Sequence, residues 1–598
     1  MTPVALAADL DRHLDADAAE RAESEANQWI KQLRHARVDG QTFRDRFTCR
    51  GDSLWWFAEL YLHKQRVIVE AFRARYALER LTSDAPGASW NLDGASAVVA
   101  CVARQIASSR GIAVEGTPQA STRIRQRAKA RFHTWTALAD RLRPAPTPPA
   151  STGGVVAFVH SAFARGDAGE EAYTGPVLSE LVARLEPGRL QLVGLGPRTS
   201  FRVRGWRDRL REFADPAASA LPLTPVEAFA RWSDLADSNA QWRARRHAGR
   251  VLADSQDLRE MSKLEALDLW PLVEPELEGI ATLQLPWSVR AMDEAGAALD
   301  ALKPDAIVTY AEAGGWGRAL MLEARRRGIP SVALQHGFIY RHWLNYRHEP
   351  DEARPSAANA DDRGFPFPDR TLLFDEYARE YLERAGAFPP ASLVVTGSPR
   401  LDRLVASARG LSDSTRAALR DSLGARGDEA IVTVASKHSQ IAAAFPALVD
   451  AVRSRADVVL VVKPHPAEGP EPYARDAQRA SNVRIAPPTA DLGALTALSS
   501  VLVTVNSTAA IEAIALDVPA LVVNLPNNLS PFVEAGVMAG AAEPAAIGPA
   551  LEGLLYDRET RGRLAAARRT FADRYGIRAD GGAATRAADL IVGLARTQ

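Results

Sequence analysis

The stretch 305-DAIVTYAEAGGWGRALMLEARRRGIPSVALQHG-337 sets the grammar of the whole chain. AIVTY, up to Tyr310, and PSVALQ, up to Gln335, are apolar from end to end, without the in–out alternation of a half-solvated strand. Between them Trp316 to Arg327 has a helical pattern. Strands of this kind need cover on both faces, and parallel βαβ units supply it with their crossover helices.

The same grammar extends both ways. Upstream, Gly154–His160 and Arg189–Gly196 are strand runs around a helical Pro176–Leu185, while about 201–300 is helical and charged, an insertion or a lid. Downstream, Thr371–Phe374, Ser392–Thr396, Ala430–Ser436, Asp457–Lys463, Val483–Ala486, Ser500–Val505 and Pro519–Asn524 alternate with helical segments and predict a second sheet. The fold class is therefore α/β, with two tandem Rossmann-like doubly wound parallel sheets. In such folds ligands bind where the strand C-termini open onto a cleft.

Before these units, four prolines in Arg143–Gly153 remove backbone donors and predict an extended linker. Ahead of it a long helix is expected from the capping residues Asp52 and Ser53, with Phe57, Tyr61, Ile68, Phe72 and Tyr76 on one apolar face. ASWNLDG, the helical Ala95–Ser108 and GIAVEG form a strand–helix–strand unit compatible with membership in the first sheet. The expected division is a helix-rich α/β extension (1–150), a first Rossmann-like domain (151–360), a second (361–545) and a C-terminal helical segment (546–598).

Composition narrows the class of function. The 598 residues carry 73 Lys+Arg against 73 Asp+Glu, so the basic excess of a general nucleic-acid binder is absent. Cys49 and Cys101 are the only cysteines, too few for a disulfide framework or a zinc cluster. The N-terminus turns acidic early and no apolar run approaches the roughly 18–20 residues of a membrane span. A cytoplasmic protein is expected, with peripheral contact at the inner membrane face left open.

The chemistry-bearing residues follow strands. Lys463-Pro-His465-Pro holds a cation and an imidazole at a strand end, where the prolines deny helix. Asn506-Ser507-Thr508 precedes the helical AAIEAIAL, where unpaired N–H groups and the helix dipole favour an anion. Both motifs point to phosphate. On the other domain, Gln335-His336-Gly337 places an imidazole at a strand end, with Gly337 expected at positive φ. Glu312, in the glycine-rich turn after AIVTY, is the best-placed carboxylate for proton abstraction. No carboxylate pair or His cluster stands at a convincing strand end, so no metal site is expected; Asp361-Asp362 is read as a solvated turn.

Taken in order, QHGFIY (335–340), PFPDRTLLFDEYAREYL (366–382), VTGSPRLD (395–402), KPHP (463–466) and NSTAAIEAIALDVPAL (506–521) resemble a bacterial superfamily. It includes CDP-glycerol glycerophosphotransferases and capsule-polysaccharide Kdo and sialic-acid transferases, all GT-B enzymes; UDP-N-acetylglucosamine 2-epimerases share the layout. The resemblance spans about residues 300–540. It implies donor-phosphate contacts at His465, Ser507 and Thr508, assisted by Lys463, with Gly337, Gly397 and Ser398 lining the cleft. Catalytic roles fall on Glu312, His336 and His465. Where bacterial sialyltransferases carry an acidic pair before glycine, this chain has Glu312-Ala-Gly, and a carboxylate nucleophile among Asp167, Glu170 and Glu171 stays open.

The expected activity is transfer of a Kdo- or sialic-acid-like sugar from a nucleotide-sugar to a glycan or lipid-linked glycan acceptor. No cofactor is expected beyond that substrate, because helix N–H groups, hydroxyls and cations can neutralise the leaving phosphate. Glycerophosphate transfer from CDP-glycerol, 2-epimerisation of a UDP-sugar, and a nucleotide-binding module without chemistry are the alternatives.

Overall fold

The computed structural model describes residues 3–119, 131, 135, 153–160, 175–196, 224–265, 267–310, 312–465, 468–487, 490–577 and 579–596. We number only the strands of its two large sheets. The first contains β1 (Val155–His160), β2 (Leu190–Leu195), β3 (Thr224–Pro225), β4 (Ala306–Thr309), β5 (Ser331–Leu334), β6 (Arg370–Leu373) and β7 (Leu393–Val395). The second contains β8 (Ala430–Ala435), β9 (Val458–Lys463), β10 (Val483–Ile485), β11 (Val501–Thr504), β12 (Ala520–Val523) and β13 (Ala539–Ala541).

Their orders are β3-β2-β1-β4-β5-β6-β7 and β10-β9-β8-β11-β12-β13. All pairings in both sheets are parallel. Every residue of β4, β5, β9, β11 and β12 is buried, as their unbroken apolar runs require. Both orders reverse beside the first strand of the sheet, the arrangement that opens a crevice at the strand C-termini. The molecule thus carries two tandem Rossmann-like doubly wound domains, the GT-B architecture, with a helix-rich extension.

Several boundaries differ from the expectation. Thr371–Phe374 and Ser392–Thr396 do not open the second sheet: β6 pairs with β5, Leu372 beside Leu334, and β7 pairs with β6. Short apolar parallel strands look alike in sequence, and their partner is fixed by crossover packing. The second sheet starts at β8 and ends on β13, Ala-Gly-Ala, whose small residues carry little strand signal. The C-terminal segment serves both sheets. Pro544–Tyr556 packs against the second core through Ile547 and Leu551, whereas Ala583–Arg596 returns to the first, placing Ala588 and Ile591 against Val155 and Val308.

The extension is not part of the first sheet. Val4–Ala5, Trp90–Asn91 and Val114–Glu115 make a separate three-stranded parallel sheet, with helix Ala97–Arg110 crossing between the last two. The expected long helix is two helices, Trp55–Gln65 and Val67–Asp84, broken at Arg66 with φ +62°. Asp52 and Ser53 precede the first in a short antiparallel pairing with Thr48–Cys49. One core joins this extension to the region read as an insertion: Trp55, Trp56 and Phe72 pack in the same cluster as Leu252, Val273, Leu277 and Val289. The Pro-rich linker lies outside the described residues apart from Gly153.

Buried ion pairs fasten the extension to the first domain. Lys31 Nζ lies 2.5 Å from Glu59 and 2.9 Å from Glu352, and Arg318 reaches the other Glu59 oxygen at 2.5 Å. Asp362, expected in a solvated turn, is fully buried, pairs with Arg44 at 2.8 Å, and accepts from the Gly364 N–H.

Candidate functional site

Glu312 follows β4 in the turn before helix Gly315–Arg327. Its side chain is buried, and Oε1 accepts a 2.6 Å hydrogen bond from the Tyr346 hydroxyl. Oε2 has no hydrogen-bond partner among the described residues. Burial pushes the carboxyl up to about 7, against the opposing effect of the Tyr346 bond. A turn carbonyl is held as well: Asn345 Nδ2 donates to Ala313 O at 2.9 Å.

The loop after β5 is held by Gln335. Its Nε2 donates to Gly337 O at 2.8 Å, and its Oε1 accepts from the Phe374 N–H at 2.8 Å. Gly337 is not at positive φ, contrary to the expectation. The side-chain staple shapes the turn, and a Cβ at 337 would meet nothing within 4 Å. His336 is half-buried between Tyr310 and Trp343, with ring centroids 6.0 and 5.9 Å away. Trp343 also meets Tyr346 edge-on at 4.8 Å, which links the histidine to the partner of Glu312 through one aromatic cluster.

On the second sheet, Lys463 ends β9, is buried, and donates to Pro464 O at 3.1 Å. Burial holds its ammonium below the usual lysine range. His465 is half-buried; burial, then the Lys437 and Lys463 cations, push its imidazole down against the pull of Glu468. These effects favour the neutral imidazole, which keeps one N–H to donate. Ser507 Oγ accepts from the Ala509 N–H at 3.2 Å, while the Thr508 hydroxyl makes no cap to the helix Ala509–Ala515. His465 and Ser507 do not sit on adjacent strands: β8 runs between β9 and β11. Its end, Ser436-Lys437-His438, escaped the sequence reading. The His438 N–H donates to Glu468 at 2.7 Å, and Tyr473 OH donates to Ser436 O at 3.0 Å, tying the β8 and β9 loops together. The available signal was position alone, a cation and an imidazole directly after an apolar strand.

The two sheets meet at these ends. His336, Ser398 and Thr508 line one gap of about 30 Å³, together with the ion pair Arg400–Glu512 at 2.6 Å. Ser398 caps helix Pro399–Arg409 by accepting from the Leu401 N–H. Gly397 does not line this gap. Its φ of +88° and a would-be Cβ contact of 3.1 Å with Ala583 show that it admits the C-terminal helix. Beside the gap lies a far larger cavity of about 1090 Å³. The extension contributes Glu23 and His63, the first domain Trp316 and Trp343, and the second domain Asn506 and Asn528. Ligand-sized space is here, since typical small-molecule sites are roughly 300–1,000 Å³. Lys463 and His465 line neither space, and Asp167, Glu170 and Glu171 lie outside the described residues.

The fold and the strand-end site define a two-Rossmann-domain protein with an interdomain cleft. No family model matches the chain, and no curated protein matches it in sequence. Among solved structures it is similar to the UDP-GlcNAc 2-epimerase from Neisseria meningitidis bound to UDP-GlcNAc, at 14% identity and TM-score 0.43, over 74% of this chain and 100% of that one. It is also similar to the wall teichoic acid polymerase TagF, at 13% identity and TM-score 0.41, over 79% and 95%. A glycosyltransferase from Rickettsia africae gives 9% identity and TM-score 0.41, over 75% and 98%. Similarity at this level assigns neither a reaction nor a substrate to this chain.

Proposed function

We propose that the chain is a metal-independent GT-B glycosyltransferase that moves a sugar, Kdo- or sialic-acid-like, from a nucleotide donor to a glycan or lipid-linked glycan acceptor. One observation carries the reading. Strand ends of both sheets converge on one seam, with His336 and Ser398 facing Thr508, and the large cavity reaches Asn506, two residues from Thr508. In this reading the donor phosphate sits on the 506–508 turn, and Lys463 and His465 reach it once the domains adjust around the donor. Glu312 accepts the acceptor proton, His336 contacts the reacting centre, and the cytoplasm supplies the nucleotide-sugar. No cofactor takes part.

A thermal-shift series with CMP, CDP, UDP and GDP tests the donor site. A nucleotide at one hundred times its Kd adds about 2.7 kcal/mol of stability. No shift with any of them removes the reading. Donor turnover without acceptor separates an enzyme from a binding module, and the product separates sugar transfer from glycerophosphate transfer or epimerisation. Activity is expected to persist in excess EDTA; loss restored by Mg²⁺ or Mn²⁺ would show a metal requirement.

A further inference from the structure

The large cavity beside the seam has a wall that the proposed reaction does not use. It spans from Gly314 and Gly315, in the turn after Glu312, to Gln65 and Arg73 of the extension and to Pro275 of the helix Trp270–Gly279. Between that helix and Leu285–Leu302 the chain takes one wide π-helical stretch, Ile280–Gln284, a form that recurs at functional sites. Gln284 and Trp287 line the cavity from there. Gly279, just before the stretch, lets the extension's Tyr61 come close, since a Cβ there would collide with the Tyr61 hydroxyl. Half-buried rings stand around the space in two pairs. Trp287 meets Trp316 edge-on at 6.2 Å, and Tyr340 lies parallel on Trp343 at 5.2 Å. Amides share the lining: Gln65, Gln284, Asn345 and Asn528. Its formal charges cancel, Glu20, Glu23 and Glu276 against Lys64, Arg66 and Arg73, and Arg66 pairs with Glu23.

Flat rings and planar amides in a lining without net charge suit a neutral carbohydrate. The C–H faces of sugar rings lie on aromatic faces, and adjacent hydroxyls pair with amide donors and acceptors. A polyanion would call for a cationic lining, and an apolar chain would leave the amides and charges without partners. The volume of about 1090 Å³ exceeds the roughly 300–1,000 Å³ of a site for a drug-sized ligand, and a single sugar ring is smaller than such a ligand. We infer that the cavity binds a neutral oligosaccharide of several rings, with its inner end at the turn after Glu312 and its outer rings on the extension. The glycosyltransferase reading supplies only the role of this ligand, which is the acceptor chain; binding itself needs no donor. The extension then selects for acceptor length, because a longer chain gains contacts on Tyr61 and Gln65 that a lone sugar at the inner end does not make.

The test is calorimetry on the full chain without nucleotide, with saturation-transfer NMR for the weakest ligands. The probes are neutral tetrasaccharides of glucose, galactose, mannose, rhamnose or N-acetylglucosamine, beside the matching monosaccharides. At least one tetrasaccharide is expected to bind roughly tenfold or more tightly than its monosaccharide. Trp287→Ala should weaken it roughly tenfold, and Trp287→Phe, which keeps a flat ring, by less. Gly315 is outside the left-handed region and a Cβ there meets nothing within 4 Å, so Gly315→Leu fills the cavity without straining the helix start. It should abolish tetrasaccharide binding while its melting temperature is kept. No binding of any tetrasaccharide, equal affinity for tetrasaccharide and monosaccharide, full binding by Gly315→Leu, or binding of farnesol in place of every sugar would each overturn the proposal. Nucleotide binding is read separately: sugar binding without any nucleotide shift would remove the glycosyltransferase reading and leave this site standing.

Discussion

Glu312 shows what a single environment does to a single side chain. A carboxylate taken from water without a cation beside it favours the protonated form, and burial here pushes it up to about 7. A base of that affinity is half available at neutral pH, so the transfer rate of the wild type is expected to rise with pH around a midpoint near 7. Glu312→Gln should lower the rate roughly 100-fold or more, keep nucleotide affinity, and abolish that inflection. Tyr346→Phe removes the side-chain hydrogen bond that favours the charged carboxylate, so its midpoint should move upward. A pH–rate series on the three proteins decides. His465 moves the other way: it is pushed below the usual histidine range, and a bound phosphate dianion would raise it again. Nucleotide binding should therefore take up a proton and strengthen as pH falls from 8 to 6. His465→Ala, and separately Ser507→Ala with Thr508→Ala, should weaken nucleotide binding at least tenfold. Calorimetry in two buffers of different ionisation enthalpy measures both effects.

At the scale of elements, the break at Arg66 separates two helices that an uninterrupted apolar periodicity predicts as one. Their apolar faces both belong to the extension's core, so the periodicity runs on across the break while the backbone does not. Arg66 stands in the left-handed region without being glycine, a conformation that costs roughly 1–2 kcal/mol for a residue with a Cβ. Arg66→Gly should leave stability within about 1 kcal/mol of wild type, whereas Arg66→Val should destabilise by more than that; urea midpoints measure both. Just before the break, His63 Nδ1 donates to Asn27 Oδ1 at 3.2 Å, and burial pushes the imidazole down to about 3. Its folded affinity for a proton lies below its unfolded one, so its contribution is complete above about 6.5 and is lost as pH falls toward 3. The slope is about 1.4 kcal/mol per pH unit for one such group. His63→Gln should flatten the acid limb of a stability–pH profile.

Across the whole molecule, the extension and the first domain share charges that neither could leave unpaired. Arg318, fully buried on the helix after Glu312, reaches Glu59 of the extension, the Trp56 carbonyl, and the Asn345 carbonyl next to Tyr346. Arg318→Met would leave Glu59 Oε1 and the Trp56 carbonyl without their buried donor while Lys31 keeps only the other Glu59 oxygen, and is expected to cost about 3–5 kcal/mol, read from denaturant unfolding. The same connection ties the extension's packing to the loop that holds Glu312. This coupling was illegible in sequence because Arg318, Glu59 and Glu352 are ordinary helix and loop residues until the fold brings them together.

What the sequence determined by itself is the repeated strand–helix grammar and the placement of chemistry after strands. Apolar runs such as AIVTY and VVLVVK must be buried on both faces wherever they lie, so the parallel doubly wound class follows from local composition. The tertiary structure alone decided which sheet claims β6 and β7, that β8 separates His465 from Ser507, and that Asp362 is buried against Arg44. It also decided that the large cavity has an extension wall at Glu23 and His63. Strand partners, buried ion pairs and cavity walls are contacts between residues tens to hundreds of positions apart. Their energies depend on which surfaces meet, and no local pattern encodes that.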